Sequence, residues 1–265
     1  RDRDYPNPVT IRLEQNYRST GTILKAANCV ISHNSDRLGK DLWTDGEQGE
    51  AISLYTAFNE LDEARFIVGR IREWKREGGK LIEAAVLYRN NAQSRVLEEA
   101  LIQDGINYRI YGGLRFYERQ EIKDALAYLR LINNRQDDAA LERIINTPVR
   151  GIGDTTMDKV RENARSLQIT LWQSLQQMLA TKQLTGRAAN AISSFVQLID
   201  KLEADSKDLS LDEQADHVIQ MSGLMAMYLA EKGEKAQTRV ENLNELVNAC
   251  ANATYVNTEE MTPLS

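Results

Sequence analysis

The string Leu13-Glu14-Gln15-Asn16-Tyr17-Arg18-Ser19-Thr20 sets an aromatic ring beside an arginine, with Gln15 two residues before the ring. It follows a short apolar run and precedes a helical pattern. A tyrosine ring can stack on a base, and a guanidinium can fork onto phosphate oxygens. A loop at the C-terminal edge of a parallel strand is where α/β proteins bind ligands. Nucleotide binding is the chemistry this string would serve. A Tyr-Arg pair that merely caps the following helix is the ordinary alternative.

A second string, Asn146-Thr-Pro-Val-Arg-Gly-Ile-Gly153, leads into Asp154-Thr155-Thr156 and a helical pattern. Gly151-Ile152-Gly153 would let backbone N–H groups approach a phosphate closely. A helix N-terminus adds about half a positive charge, and the Thr156 hydroxyl can donate. Helix-hairpin-helix modules grip duplex backbones in this way without reading bases. Arg150 precedes the glycines, and Lys123, Arg115 and Arg119 are candidates for the same face. Asp154 opposes the reading, Lys123 could equally pair with Glu118 or Glu121, and most such glycines are ordinary turns.

Other catalytic arrangements are missing from the sequence. No G-x-x-x-x-G-K-[ST] string occurs, so the chain carries no P-loop. Asp62-Glu63 and Asp212-Glu213 imitate a Mg²⁺-binding carboxylate pair. Each opens an amphipathic pattern instead, where acidic residues complement the helix macrodipole. His33 and His217 stand far apart, and Cys29 and Cys250 are isolated thiols. These exclude a Cys-rich zinc site and a disulfide scaffold, argue against a catalytic triad, and suit a reducing cytoplasm.

The elements that must position these strings fall into two classes. Up to residue 111, short apolar runs alternate with helical patterns: strands at Val9–Leu13, Ala51–Thr56, Ala84–Tyr88 and Tyr108–Tyr111, and helices at Gly21–Ile31, Glu60–Lys75 and Ser94–Gln103. This alternation predicts a parallel sheet with covering helices. After Gly112-Gly113 the strand signals stop. Helices are expected at 121–133, 138–146, 154–166, 170–179, 185–204, 211–221, 225–231 and 237–250. The expected architecture is therefore α/β over residues 1–111, then all-α over 112–265. Met221, Met225, Met227, Tyr228 and Trp172 are expected in the core of the helical part.

The chain has 265 residues, with 33 basic and 39 acidic side chains for a net charge of −6. This excludes a globally basic nucleic-acid binder, while leaving room for a local basic groove. Residues 1–111 hold 16 basic and 17 acidic residues, 112–160 hold 8 and 8, and the remainder hold 9 and 14. The acidic excess thus falls on the last helices. No apolar run approaches the ~18 residues of a membrane span. The first residue is not Met and the last residues form no clear element, so the chain reads as a piece of a longer protein.

Leu13–Thr20 resembles motif IV of the UvrD/Rep/PcrA DNA helicases, ATP-driven translocases of the first helicase superfamily. Three further strings follow in that family's order: Val86–Arg95 (VLYRNNAQSR), Tyr111–Asp124 (YGGLRFYERQEIKD) and Asn146–Gly153. Gln237–Asn248 (QTRVENLNELVN) is also similar. The resemblance implies that residues 1–111 are the first half of the second RecA-like parallel-sheet motor domain. Residues 112–265 would be a helical domain inserted into it, with a helix-hairpin-helix-like element. It further implies that Tyr17 stacks on adenine, with Gln15 and Arg18 also at the ATP. Arg18 would act as an arginine finger. Asn91 and Arg89, with Arg95, would contact single-stranded DNA. Arg150, Gly151, Ile152, Gly153, Thr156 and Lys123 would contact duplex DNA at a junction. Arg89 and Arg95 could instead form salt bridges at the sheet edge. Mg²⁺ would be held by a first motor domain outside this chain. The implied parent is a 3′-to-5′ helicase of DNA repair, with repair proteins as possible partners and no membrane. A non-catalytic DNA- and partner-binding module is the other reading.

Overall fold

The structure, a computed structural model, describes residues 13–33 and 41–253. Contacts divide the chain into two compact units, one ending at Phe58 and the other beginning at Asn59.

In the first unit, helix α1 (Gly21–Ser32) buries Leu24. The segment from Asp41 to Gly49 runs beside α1 and the Gln15 loop. Asn16 N donates to Trp43 O at 2.7 Å and Trp43 N to Glu14 O at 3.1 Å, which makes Gln15–Trp43 an isolated parallel bridge. The Asn28 amide grips Leu42 in both directions, at 2.9 Å each. The first N–H groups of a helix have no partner within it. Here Gly21 N and Thr22 N donate to the Glu47 and Gln48 carbonyls at 3.0 and 2.9 Å. Gly49 has φ +78°, and a Cβ there would lie 2.7 Å from the Thr20 side chain, so both conformation and space require glycine.

In the second unit, α2 (Glu60–Arg76) packs on α3 (Ser94–Gln103) through Ala64, Val68, Val96 and Ala100. Asn59 caps α2 by accepting from Asp62 N at 2.8 Å. Then come α4 (Gln120–Asn133), α5 (Asp138–Ile144), α6 (Asp154–Leu167), α7 (Leu171–Ala180) and α8 (Gly186–Ser206). Finally α9 (Leu211–Met221), α10 (Leu224–Ala230) and α11 (Glu234–Ala253) complete the series. Their apolar stripes meet in one core around Tyr128, Phe195, Ile122, Leu141, Leu175 and Leu243. Trp172, Met225 and Tyr228 are buried in it and Met227 packs against it. Met221, expected there too, is 47% exposed.

The α/β expectation for residues 1–111, and with it half of a RecA-like parallel sheet, is overturned. Among the described residues the structure is helical, with no strand and no sheet. Val9–Leu13 lies outside the described residues except for Leu13. Residues 51–56, 84–88 and 108–111 form no strand, and Leu54 and Leu87 are 95% and 94% exposed. The reason is that a helix satisfies its backbone locally, whereas a strand needs another segment alongside. Apolar and β-branched content marks a surface suited to half-burial, not a pairing.

Candidate functional site

The Gln15–Thr20 loop is held by its own polar residues. Asn16 Oδ1 accepts from Arg18 N and Ser19 N at 2.9 and 2.7 Å, an Asx-type turn. The Tyr17 hydroxyl donates to Gln15 Oε1 at 2.9 Å, and Gln15 Nε2 reaches Asp45 Oδ2 at 3.4 Å. The ring itself is 87% exposed. Arg18 is exposed as well, and its guanidinium makes no hydrogen bond or ion pair with the described residues. The three predicted nucleotide residues are therefore together. Gln15 orients the ring, and Arg18 projects from a backbone fixed on both sides.

The second group surrounds the 3-10 turn Asn91–Gln93. Gln93 Oε1 accepts from Arg89 N and Asn90 N at 3.0 and 3.2 Å, which folds the segment back on itself. The Arg89 and Asn91 side chains are exposed. Arg95 is different. It is 2% exposed and pairs with Glu99 at 2.9 Å and Glu245 at 2.7 Å, which joins α3 to α11. Burial pulls its pKa down, but the two carboxylates outweigh this and raise it. Its guanidinium faces the interior, so Arg95 acts as a cross-link between helices, not a groove residue.

The third group is the turn between α5 and α6. Asn146 Oδ1 accepts from Arg150 N and Ile152 N at 2.8 and 3.2 Å, which fixes the turn. Gly151 has φ +81°, so the turn requires glycine there. Ile152 is 2% exposed and anchors the loop in the core. Gly153 is the N-cap of α6, and a Cβ on either glycine would meet nothing within 4 Å. The face over the two glycines is open, with Thr156 half-buried in the first turn behind it. Arg150 does not face that opening. Its guanidinium donates to Ile144 O, Ile145 O and Thr147 O at 2.7, 3.1 and 3.3 Å, and packs on the Phe195 ring 5.2 Å from its centroid. Lys123 is exposed on α4 without a partner among the described residues. Arg115 lies over the Tyr108 ring, 4.8 Å from its centroid, and Arg119 is 7% exposed. Of the cations proposed around this turn, Arg150 and Arg119 are thus internal.

Asp62-Glu63 and Asp212-Glu213 lie in the first turns of α2 and α9. Ser210 caps α9 with Glu213. Among the described residues, no group of three or more His, Cys, Asp or Glu could hold a metal ion. This donor set does not fit Mg²⁺, so no chemical step runs through a metal on these residues. Among the described residues no helix is long and apolar enough to cross a membrane.

The structure thus presents an exposed tyrosine beside an arginine with no partner among the described residues, an exposed Asn turn and an open glycine-capped helix N-terminus. Residues 11–264 match the family described as UvrD-like helicase C-terminal domain, and the chain belongs to that family. It is 62% identical over 257 residues to the DNA helicase II of Escherichia coli strain K12, covering 97% of this chain and 36% of that protein. It is 44% identical over 252 residues to the ATP-dependent DNA helicase PcrA of Bacillus subtilis strain 168, covering 95% of this chain and 34% of that protein. The chain thus spans about a third of the length of the curated relatives it matches.

Proposed function

We propose that the chain is part of an ATP-dependent 3′-to-5′ DNA helicase or translocase of DNA repair, working in the cytoplasm. It supplies one wall of the ATP cleft, one contact to single-stranded DNA and one to duplex DNA at a junction. The observation that carries this reading is the Gln15–Tyr17–Arg18 loop. The exposed ring is held at its hydroxyl by Gln15, and the adjacent guanidinium makes no hydrogen bond or ion pair among the described residues. The ring stacks on adenine. Arg18 reaches the γ-phosphate and stabilises the charge that develops on its oxygens as the bond to the β-phosphate breaks. The P-loop and Mg²⁺ carboxylates belong to the parent outside this chain.

Asn91, with Arg89 beside it, contacts single-stranded DNA. An amide can donate and accept without committing to sequence. Gly151, Ile152, Gly153 and Thr156, with Lys123, contact the duplex backbone through N–H groups, a hydroxyl and an ammonium. Taken alone, the chain is a non-catalytic DNA- and partner-binding module, because its sequence holds no P-loop.

Arg18→Ala in the full-length parent tests the reading. Its kcat for DNA-stimulated ATP hydrolysis falls by ~10³-fold or more, the scale of an arginine finger, with single-stranded DNA affinity nearly intact. Unchanged hydrolysis with lost DNA binding would place Arg18 in a different cleft.

A further inference from the structure

Arg119 is nearly buried, and each of its guanidinium nitrogens is used. Nε donates to Leu114 O at 3.1 Å. Nη1 donates to Asn91 O at 3.0 Å and to Asn242 Oδ1 at 3.2 Å, and Nη2 to Ser94 Oγ at 2.9 Å. One side chain therefore holds the Asn91 turn, the first residue of α3, the segment before α4, and α11. The partners are fixed in turn. Asn242 is 1% exposed and donates to Glu121 Oε1 at 2.8 Å. Ser94 donates to Glu98 Oε2 at 2.8 Å, and Glu98 also accepts from the Tyr108 hydroxyl at 3.0 Å. The guanidinium fork suits this task because its donors are coplanar and lock several acceptors at once. A lysine at this position would keep the charge and lose the fork.

We propose that Arg119 is a positioning residue for the grip on single-stranded DNA. Its guanidinium holds the main-chain carbonyl of Asn91, so that α11 and the segment before α4 set where the Asn91 side chain points. The proposal rests on the reading that Asn91 contacts the strand. Asn91 is exposed while its own carbonyl is tethered inside the protein, so the residue has a free end and a fixed end. Register on a strand without sequence recognition depends on such fixed backbone geometry.

Affinity for a labelled oligo-dT and for a blunt duplex is measured on the full-length protein. The variants are Arg119→Lys, Asn91→Ala and the double substitution. Arg119→Lys weakens oligo-dT roughly tenfold, the scale of one charge-assisted hydrogen bond, and leaves duplex affinity within about twofold. In the Asn91→Ala background the same change costs less than about twofold, because the group being positioned is gone. A purely structural role would give equal losses in both backgrounds. Equal losses, or a folded Arg119→Lys that binds oligo-dT like the parent, overturn the positioning role. Asn91→Ala alone binding oligo-dT like the parent overturns instead the reading on which it rests. Should Arg119→Lys fold poorly, Asn242→Ala removes the α11 acceptor of the same guanidinium, together with the donor to Glu121. It must show the same dependence on Asn91, and equal losses in both backgrounds overturn the role there too.

Discussion

Arg150 donates from Nη2 to the hydroxyl of Tyr128, while its Nη1 holds the carbonyls at the end of α5. The Tyr128 hydroxyl in turn donates to Thr147 O. The last carbonyls of a helix lack partners within it, and a cation at that end also complements the macrodipole. Arg150 therefore caps α5 and closes the turn that shapes the Gly151 loop. Arg150→Ala is expected to destabilise the chain by about 1.5–3 kcal/mol, the range for hydrogen bonds to a charged group. Denaturant unfolding measures it. The salt dependence of duplex binding should keep its slope, because this guanidinium is taken up by the carbonyls of the turn and by Tyr128. Unchanged stability with a shallower slope would place Arg150 on the DNA.

The isolated chain should not turn over ATP. Arg18 can stabilise charge on a phosphoryl group only when another part of the protein clamps that group, and the sequence carries no P-loop. A coupled phosphate-release assay with oligo-dT present reads this directly. A DNA-stimulated rate near ~1 per second, within the usual range for enzymes, would contradict it.

The two thiols should separate sharply in reactivity. Cys29 is exposed on α1, whereas Cys250 is 2% exposed on α11. Burial, then the nearby charge of Asp212, push the Cys250 thiol up to about 11, against a smaller opposing effect of Arg95. Only the thiolate reacts, so at pH 8 Cys250 offers little of the reactive form and little access. A disulfide reagent should titrate one thiol quickly and the second only on unfolding. In Cys29→Ser the fast phase should vanish. A fast phase that survives in Cys29→Ser would mean that α11 opens readily.

The helices were legible in the sequence because their signals are local. Asn59, Thr170 and Ser210 mark helix starts, and the stripe of Met157, Val160 and Ala164 marks the buried face of α6. The Gln15–Thr20 loop was legible as a turn. Its internal bonds, Tyr17 to Gln15 and Asn16 to its own turn, span only two or three residues. The strand expectations failed, since pairing depends on which segment lies alongside. Ala84–Tyr88 looks the same in sequence whether paired or bare. The links of Arg95 to Glu245 and of Arg119 to Asn242 were hidden for the same reason. Glu245 and Asn242 come about 150 and 123 residues after their partners, and no spacing rule reaches that far. A usable sequence signal was the position of Arg150 six residues after Ile144, past the end of a helix, where cations cap carbonyls.

Gly153 separates a duplex contact from an ordinary turn. Its φ is −89°, which alanine adopts freely, and a Cβ there would stand in open space. Gly153→Ala should therefore cost at most about 1 kcal/mol, the difference between glycine and alanine at an N-cap. The same Cβ would project from the N-terminus of α6, where a phosphate must approach the N–H groups closely. Duplex affinity should then fall several-fold on unrelated sequences alike. Gly151→Ala is the contrasting variant. At φ +81° it is strained by roughly 1–2 kcal/mol, so it should lose stability as well as binding. Thr156→Ala with Lys123→Ala removes a hydroxyl and a charge and should flatten the salt dependence. With two or three phosphates neutralised the starting slope is roughly −2 to −3, at about −0.9 per phosphate. Binding by the parent protein to two unrelated duplexes, across a salt series, measures all three variants. A stable Gly153→Ala that binds both duplexes as tightly as the parent, with the same slope in the double variant, would leave this loop as a turn that serves the fold alone.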